Sequence, residues 1–487
     1  MKNSTNNAAH TLLHIIRPRS FRLLSVAAAA LAVSYFPGHA FSWQNPSSAS
    51  SAAAARGTSA AACMNAFCSL MSGASSLQAY AVSETVSFNA NGGTGSMDSV
   101  VLEAGKDKLP ACTFTRHGYV FRGWVTNPSA DTCEYEDQET YPEDAGSMTL
   151  YALWEPQMYI IHYAGNGATL GEMDDSYGIY DEKTMLSGNL FVNPGHVFRN
   201  WIDTNTGKTY TNMDTVLNLH SGNTQSRAVL TVDAGKPENT DYSFKSTQGS
   251  CVYEENGTMY LVTAASINDS AYNNGDLSHY ETILTKYELS TGKVVKAVRN
   301  LQFDHGNGIC YNENNGHLYI AEGGTCDGYP SGVMELDENL EEVREYNFPL
   351  LTHIWAIAYA DHHFYLIGRN SGSRNSFCVL NDDMETLSIT PVDEYYQNFS
   401  SQGIASDGSF IYAVSACFKA YDWKTKQRIN VFTTEGDYIG VWTIDIPYEA
   451  EDLTIVGPYA YISTNEKNKC TLYRTRIPAV TLTATWK

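Results

Sequence analysis

The sequence predicts an all-β protein with two small β modules followed by a five-bladed β-propeller. Three observations support this class. The 487 residues include 37 Gly and 32 Tyr, which is typical of short strands joined by tight turns. A motif ending in Trp occurs twice, at Trp124 and Trp201, 77 residues apart. A pattern of paired hairpins then recurs five times with a period in the forties, as propeller blades do.

The first 82 residues predict export and not a folded domain. An Arg-containing start precedes an apolar, Ala-rich stretch from Leu23 to Phe36, and small residues then suit cleavage after Ala40. Residues 1–40 are therefore expected to be a signal peptide. The alternative is a membrane anchor, but the stretch is shorter than the roughly 20 residues of a spanning helix. Residues 41–82 are Ala/Ser-rich and predict a flexible spacer.

The charge of the chain limits its partners. The formal net charge is −22, which opposes binding to nucleic-acid phosphates and docking on anionic lipid. We expect a secreted or cell-surface protein that meets the membrane only through an uncleaved leader. The expected partner is an extracellular small molecule, a glycan, or a host or surface protein.

Two consecutive segments predict small β modules built on one scheme. Residues 84–156 contain FNANGGTGSM, FTRHGYVFRGW and MTLYALW in that order. Residues 158–234 contain GNGATLGEM, PGHVFRNW and a weaker closing strand, AVLTVDA. Because small domains need large buried side chains, Trp124 and Trp201 are expected to fill the two cores.

These motifs resemble the Listeria–Bacteroides repeat, also called the internalin-type B repeat, over residues 85–232. The likeness is close for residues 85–154 and loose for residues 158–232, where Asn200 replaces the Gly before the Trp and the closing Trp is missing. The resemblance implies β-grasp-like modules in tandem on a bacterial surface protein. It also implies a stalk or adhesive role, without catalytic residues.

Ten cysteines in an exported chain raise the question of disulfides. Cys112 and Cys133 lie in one small module and are the expected pair. Five others occur at equivalent places in successive repeats, too far apart to bridge, and are expected to be small buried hydrophobic residues. These five are Cys251, Cys310, Cys378, Cys417 and Cys470.

Residues 243–487 predict the propeller. Each unit has two apolar strands around a polar turn and then a second hairpin, and five units fit the segment. The anchor residues Tyr319, Tyr365 and Tyr412 lie 46 and 47 residues apart. The last strand, TLTATW at 481–486, leaves two alternatives open. It either closes the ring against the first blade or completes the second repeat module.

Polar residues begin the innermost strand of each predicted blade, where equivalent positions surround the central channel. Because residues two apart in a strand face the same way, we expect them to point into this channel and bind a ligand. The eight expected ligand-binding residues are Gln248, His305, Asn307, His353, Trp355, Gln402, Glu449 and Glu451.

Three functions fit this ring. The channel could be wet and purely structural, with its polar groups satisfied through water. It could bind a small polar or sugar-like ligand, with Trp355 stacking on it. It could instead hold a divalent, Ca²⁺-like cation on Asn307, Glu449 and Glu451 in a secreted lactonase, hydrolase or lyase. We favour a binding protein over an enzyme, with the repeat modules as a stalk that displays the propeller.

Overall fold

The computed structural model describes residues 83–232, 244–267, 281–301, 303, 306–323, 331–370, 372, 375–392, 399–417, 427–466 and 469–487. Every regular element in these ranges is a β-strand, so the all-β class is confirmed. Among these residues no helix is long and apolar enough to span a membrane. The predicted signal peptide, the spacer and His305 lie outside the described residues.

Module 1 is a four-stranded mixed sheet around Trp124. Its strands β1 to β4 are Ser83–Asn89, Val100–Glu103, Tyr119–Val125 and Met148–Pro156. They are ordered β2-β1-β4-β3, with β4 parallel to β1 and antiparallel to β3. The alternating large side chains of MTLYALW place Leu150 and Ala152 on the buried face, where both are 0% exposed beside Trp124.

Module 2 has an equivalent sheet with one additional strand, and residues 479–486 supply its central strand. Strands β5 to β10 are Met158–Ala164, Ser176–Ile179, Lys183–Met185, Phe198–Asp203, Thr209–Tyr210 and Thr215–Leu217. The last strand, β31 (Ala479–Trp486), lies between β5 and β8 in the order β6-β5-β31-β8-β9. It runs parallel to β5 and antiparallel to β8, as β4 does in module 1. Residues 481–486 therefore complete the second module.

The predicted boundary between module 2 and the propeller is wrong at both ends. Strand β11 (Ser226–Val232), which was expected to close module 2 within residues 158–234, pairs with the last blade of the propeller. Strand β31, expected in a propeller of residues 243–487, belongs to module 2. AVLTVDA and TLTATW both show the alternating pattern of a strand, so either segment could pair with either sheet. The partner of each strand is therefore set by distant segments of the chain and not by its own pattern. The propeller is an insertion in module 2.

The propeller has five four-stranded antiparallel blades, which confirms the predicted number. Strands β12–β15 are Phe244–Glu255, Thr258–Ile267, Glu281–Glu288 and Val294–Leu301; β16–β19 are Gly308–Asn312, His317–Ala321, Gly332–Leu336 and Glu342–Asn347. Strands β20–β23 are Leu351–Ala360, His363–Asn370, Asn375–Asn381 and Thr386–Pro391; β24–β27 are Phe399–Ser406, Phe410–Cys417, Arg428–Thr433 and Tyr438–Thr443. The fifth blade contains Glu449–Val456, Tyr459–Glu466 and Lys469–Arg476 (β28–β30), with β11 outermost.

The ring closes between the last blade and the first. The innermost strands β12, β16, β20, β24 and β28 contact one another in turn, and β28 contacts β12. Because β11 precedes the first blade in the chain, its pairing with β30 ties the two ends of the propeller together. Strand β11 also gives the fifth blade its fourth, outermost strand, which the blade would otherwise lack.

Module 2 packs directly on the fourth and fifth blades. Met158 and Ile160 of β5 lie in one hydrophobic cluster with Tyr412 and Trp442 of the propeller. Gly440 makes room for Met158, since a Cβ at Gly440 would lie 2.7 Å from the Met158 Cβ. The propeller and module 2 therefore share a core, which differs from a propeller displayed at the end of an independent stalk.

The expected disulfide between Cys112 and Cys133 is absent, and both residues are thiols. The Cys133 Sγ lies 3.1 Å from the Tyr135 carbonyl oxygen, against Gly123, whereas the Cys112 Sγ lies 4.0 Å from the Phe114 carbonyl oxygen. Each thiol is thus directed to its own local segment. The expectation of buried thiols is confirmed for Cys251, Cys310, Cys378 and Cys470.

Candidate functional site

Four of the innermost propeller strands contain a β-bulge at the same level of the blade. In β20, Ile354 pairs with Gly368 and Ala356 pairs with Ile367, so Trp355 is the extra residue. Gln402 is the extra residue in β24 and Glu451 in β28. In β12, the bulge contains Gln248. Four of the eight residues that the sequence predicted for a ligand site therefore lie in these bulges.

These bulges change where the side chains point. An extra residue interrupts the alternation of a strand and re-aims its side chains. The expectation that residues two apart face the same way is therefore not valid across these positions. Asn307 takes the equivalent place just before β16, where its N–H donates to the Ala321 carbonyl oxygen at 2.9 Å.

A fully buried carboxylate, Asp452, lies one residue beyond the bulge residue of β28. Its Oδ2 accepts the N–H of Ser250 at 2.8 Å and of Ile309 at 3.2 Å, and its Oδ1 accepts the N–H of Leu453 at 2.9 Å. Burial raises its pKa well above the ordinary value, although these hydrogen bonds lower it. A Cβ at Gly403 would lie 2.2 Å from the Asp452 Oδ1, so β24 passes too close to Asp452 for any residue with a side chain at position 403.

Three of the predicted residues meet on the fourth and fifth blades. The Gln402 Nε2 donates to the Glu449 Oε1 at 3.0 Å, and the Glu449 charge acts on Glu451. Burial raises the pKa of Glu451 well above its ordinary value, and Glu449 raises it further. Burial also raises the pKa of Glu449, while the bond from Gln402 lowers it. Such a pair can hold a proton and so both donate and accept hydrogen bonds.

A second group forms on the third blade. The Arg369 guanidinium lies 5.1 Å from the centre of the Trp355 ring, within the range of a cation–π contact. The centre of the His353 ring lies 6.3 Å from the centre of the Trp355 ring. Trp355 is half-buried against the apolar cluster between the third and fourth blades. The Arg369 Nε is buried and has no hydrogen-bond partner in the described part of the chain.

The remaining expectations keep their status as predictions. The Gln248 Nε2 donates to the Thr247 carbonyl oxygen at 3.3 Å, within its own strand. Within the described ranges, no three His, Cys, Asp or Glu side chains converge with metal-ligand spacing. A cation on Asn307, Glu449 and Glu451 would therefore rest on two carboxylates and an amide, a set that suits Ca²⁺ chemistry by its oxygens alone.

Sequence reasoning missed Arg369 and Asp452. Arg369 is on the second strand of its blade and pairs with His353 across the sheet, a position that only the strand register reveals. Asp452 did leave a signal. One predicted site residue in each blade is followed by a residue at an equivalent position. In four blades this next residue is small, and in the fifth it is a carboxylate: Gly249, Gly308, Ala356, Gly403 and Asp452.

A cavity of about 190 Å³ lies at the other end of the channel. Residues from all five innermost strands line it, among them Tyr253, Tyr311, Tyr359, Ser406 and Thr454. These residues follow the bulges along each strand, and Asp452 lies between the two levels. The axis of the propeller thus carries two separate groups of polar and aromatic side chains.

Comparison with known proteins identifies the first module. A family model of the Listeria–Bacteroides repeat domain matches residues 85–153. A protein of Evansella cellulosilytica named "Putative Gly-rich membrane protein" is 29% identical over 90 residues, which are 18% of this chain and 10% of the relative. The chain therefore spans about a tenth of the length of this curated relative.

Solved structures that match this chain have low sequence identity to it and low TM-scores. The tail fiber of Staphylococcus aureus phage P68 is 14% identical with a TM-score of 0.34, over 53% of this chain and 54% of that one. An alpha-L-arabinofuranosidase from Podospora anserina is 8% identical with a TM-score of 0.35, over 52% of this chain and 97% of that one. Residues 85–153 are thus a Listeria–Bacteroides repeat, a domain typical of surface-associated bacterial proteins, in a longer chain that contains a β-propeller.

Proposed function

We propose that this chain is an exported bacterial surface protein whose propeller binds a small polar or sugar-like ligand at the bulged end of its channel. The observation that carries the proposal is the bulge repeated in four innermost strands, because bulges are common next to binding sites, where they re-aim side chains. The export itself rests on the predicted leader and on the surface association typical of the repeat.

The chemistry of the two groups supports a polar ligand. Trp355 supplies an aromatic face, and the Arg369 guanidinium beside it supplies N–H donors. Gln402, Glu449 and Glu451 supply an amide and two carboxyls. Aromatic faces with a few polar groups are the usual means of recognising a hydroxyl-rich ligand.

Binding of the full chain to a glycan array tests this proposal. We expect Trp355→Ala to weaken binding about tenfold or more, since central aromatic anchors dominate such sites. Tyr346→Ala is the matched control, because Tyr346 is a half-buried aromatic residue on the outermost strand of the second blade. Binding that survives Trp355→Ala unchanged, or no glycan binding by the full chain, would remove the proposal.

The buried carboxyl pair favours an alternative, a secreted hydrolase. Glu451 with a strongly raised pKa beside Glu449 resembles the acid–base pairs of hydrolytic sites. In that case Glu451→Gln would abolish turnover of a lactone or glycoside and leave ligand binding in place. If the same variant lowers binding and no turnover is detected with the unaltered chain, the binding function is favoured.

A further inference from the structure

Three tyrosines, Tyr253, Tyr311 and Tyr359, line the cavity at the end of the channel opposite the bulges. The Tyr253 and Tyr311 rings are stacked, with centres 4.2 Å apart and an angle of 15° between them. The Tyr359 hydroxyl donates to the Asp382 Oδ1 and accepts from the Asn314 Nδ2, both at 2.6 Å. Because these contacts fix the rings, a ligand entering the cavity would not have to order them.

The charge at this cavity is negative. The charged side chains that line it are those of Glu254 and Glu313, and both are exposed. Burial raises the pKa of Tyr311, and the nearby charges of Glu255 and Glu313 raise it further. Two basic residues close to the tyrosines are already paired: Lys286 with Glu255 at 3.3 Å and His362 with Asp382 at 2.7 Å.

The protein itself places an ammonium group on these aromatic rings. The Lys286 Nζ lies 4.3 Å from the centre of the Tyr260 ring and 5.3 Å from that of Tyr253. Contacts of this kind within about 6 Å are attractive because of the ring quadrupole. Tyr253, which also lines the cavity, thus already takes part in a contact of this kind.

The size of the cavity restricts the ligand. The cavity has a volume of about 190 Å³. This is below the roughly 300–1,000 Å³ of pockets for drug-sized ligands. Aromatic walls, carboxylates at the rim and a small volume together select a compact organic cation.

We propose that this cavity is a second ligand site, separate from the bulged end, which binds a small quaternary or methylated ammonium compound. The cationic head contacts the Tyr311 ring, which Tyr253 holds in place by stacking on it. The carboxylates of Glu313 and Glu254 balance its charge. The site would let the propeller bind an ammonium-bearing ligand independently of any ligand at the other end.

Calorimetric titration of the full chain with choline tests the proposal, with uncharged 3,3-dimethylbutanol as the isosteric probe. We expect saturable choline binding and at least about tenfold weaker binding of the alcohol. Tyr311→Ala should weaken choline binding about three- to thirty-fold. Glu313→Gln should weaken it less, and this exposed position leaves the fold intact.

Matched controls separate this site from the other end. Glu345→Gln removes an exposed charge from the same blade, away from the cavity, and should leave choline binding unchanged. Trp355→Ala should also leave it unchanged, even if that variant loses its glycan ligand. The proposal is overturned if choline does not bind saturably, if the alcohol binds equally well, or if Glu345→Gln weakens binding as much as Glu313→Gln does.

Discussion

The two repeat modules have nearly the same interior but obtain their closing strand in different ways. Trp124 lies 4.9 Å from the Phe121 ring centre, and Trp201 lies 4.9 Å from that of Phe198. The closing tryptophans also match: the Trp154 Nε1 donates to the Ala90 carbonyl oxygen at 2.8 Å, and the Trp486 Nε1 to the Gly165 carbonyl oxygen at 3.0 Å. In module 1 this strand follows one loop after β3, whereas in module 2 it follows the whole propeller.

This difference shows that a small module can carry a large insertion without changing its core. The cost of closing a loop grows only with the logarithm of its length. The folded propeller also reduces that cost because its ends return together: Ser226, at the start of β11, pairs with Thr475, near the end of β30. Module 2 is consequently complete only when the propeller has been made.

Removing the last strand should have the largest effect on this comparison. In a chain that ends at Pro478, module 2 loses a central strand whose Leu482 and Ala484 are 0% exposed. We expect a loss above about 5 kcal/mol, which is the whole stability of a small domain. Hydrogen exchange should show residues 158–217 unprotected. Module 1, which has its own central strand β4, is the internal control. Protection of both modules would contradict the conclusion that β31 is needed to complete module 2.

Truncating the two core tryptophans should give an intermediate effect that spreads differently in the two modules. Trp124 and Trp201 are both 0% exposed, so each change to Ala should cost about 3–5 kcal/mol. Because Met158 and Ile160 share a core with the propeller, Trp201→Ala should also lower hydrogen-exchange protection in the fourth and fifth blades. Trp124→Ala should act on module 1 alone. Equal, local effects would mean that module 2 and the propeller unfold independently.

The smallest expected effect concerns pH. In module 1 the Ser87 hydroxyl pairs with that of Ser99 at 2.9 Å, whereas in module 2 the equivalent pair is His162 and Asp175, at 2.7 Å. The hydrogen bond that His162 donates to the Asp175 carboxylate raises the pKa of His162 above its usual value of 6.5, and the charge of Asp407 raises it too. The stabilisation is therefore complete below pH 6.5 and is lost as the pH rises through the raised value.

Thermal unfolding at several pH values measures this effect. Module 2 should lose up to about 1 kcal/mol between mildly acid and mildly alkaline pH, because the pair is partly exposed. His162→Ser, which copies module 1, should flatten this part of the pH profile. The interpretation would be refuted by a slope that is unchanged in the variant.

Much of the fold was predictable because its signals are local. The Trp-containing motif and the tyrosine spacing fixed the module type and the number of blades, since each reflects periodicity within one unit. The candidate site was predictable only in part. The polar residues at the strand starts were found, but their bulges and the partners Arg369 and Asp452 depend on cross-strand register.

By itself, the sequence determined the all-β class, the two repeat modules and five blades. Only the tertiary structure decided that β31 completes module 2, that β11 closes the propeller and that Cys112 and Cys133 stay apart. The physical reason is that a strand satisfies its backbone hydrogen bonds on a neighbour that is distant in the chain. An alternating strand such as AVLTVDA or TLTATW carries the pattern for pairing but not the identity of its partner.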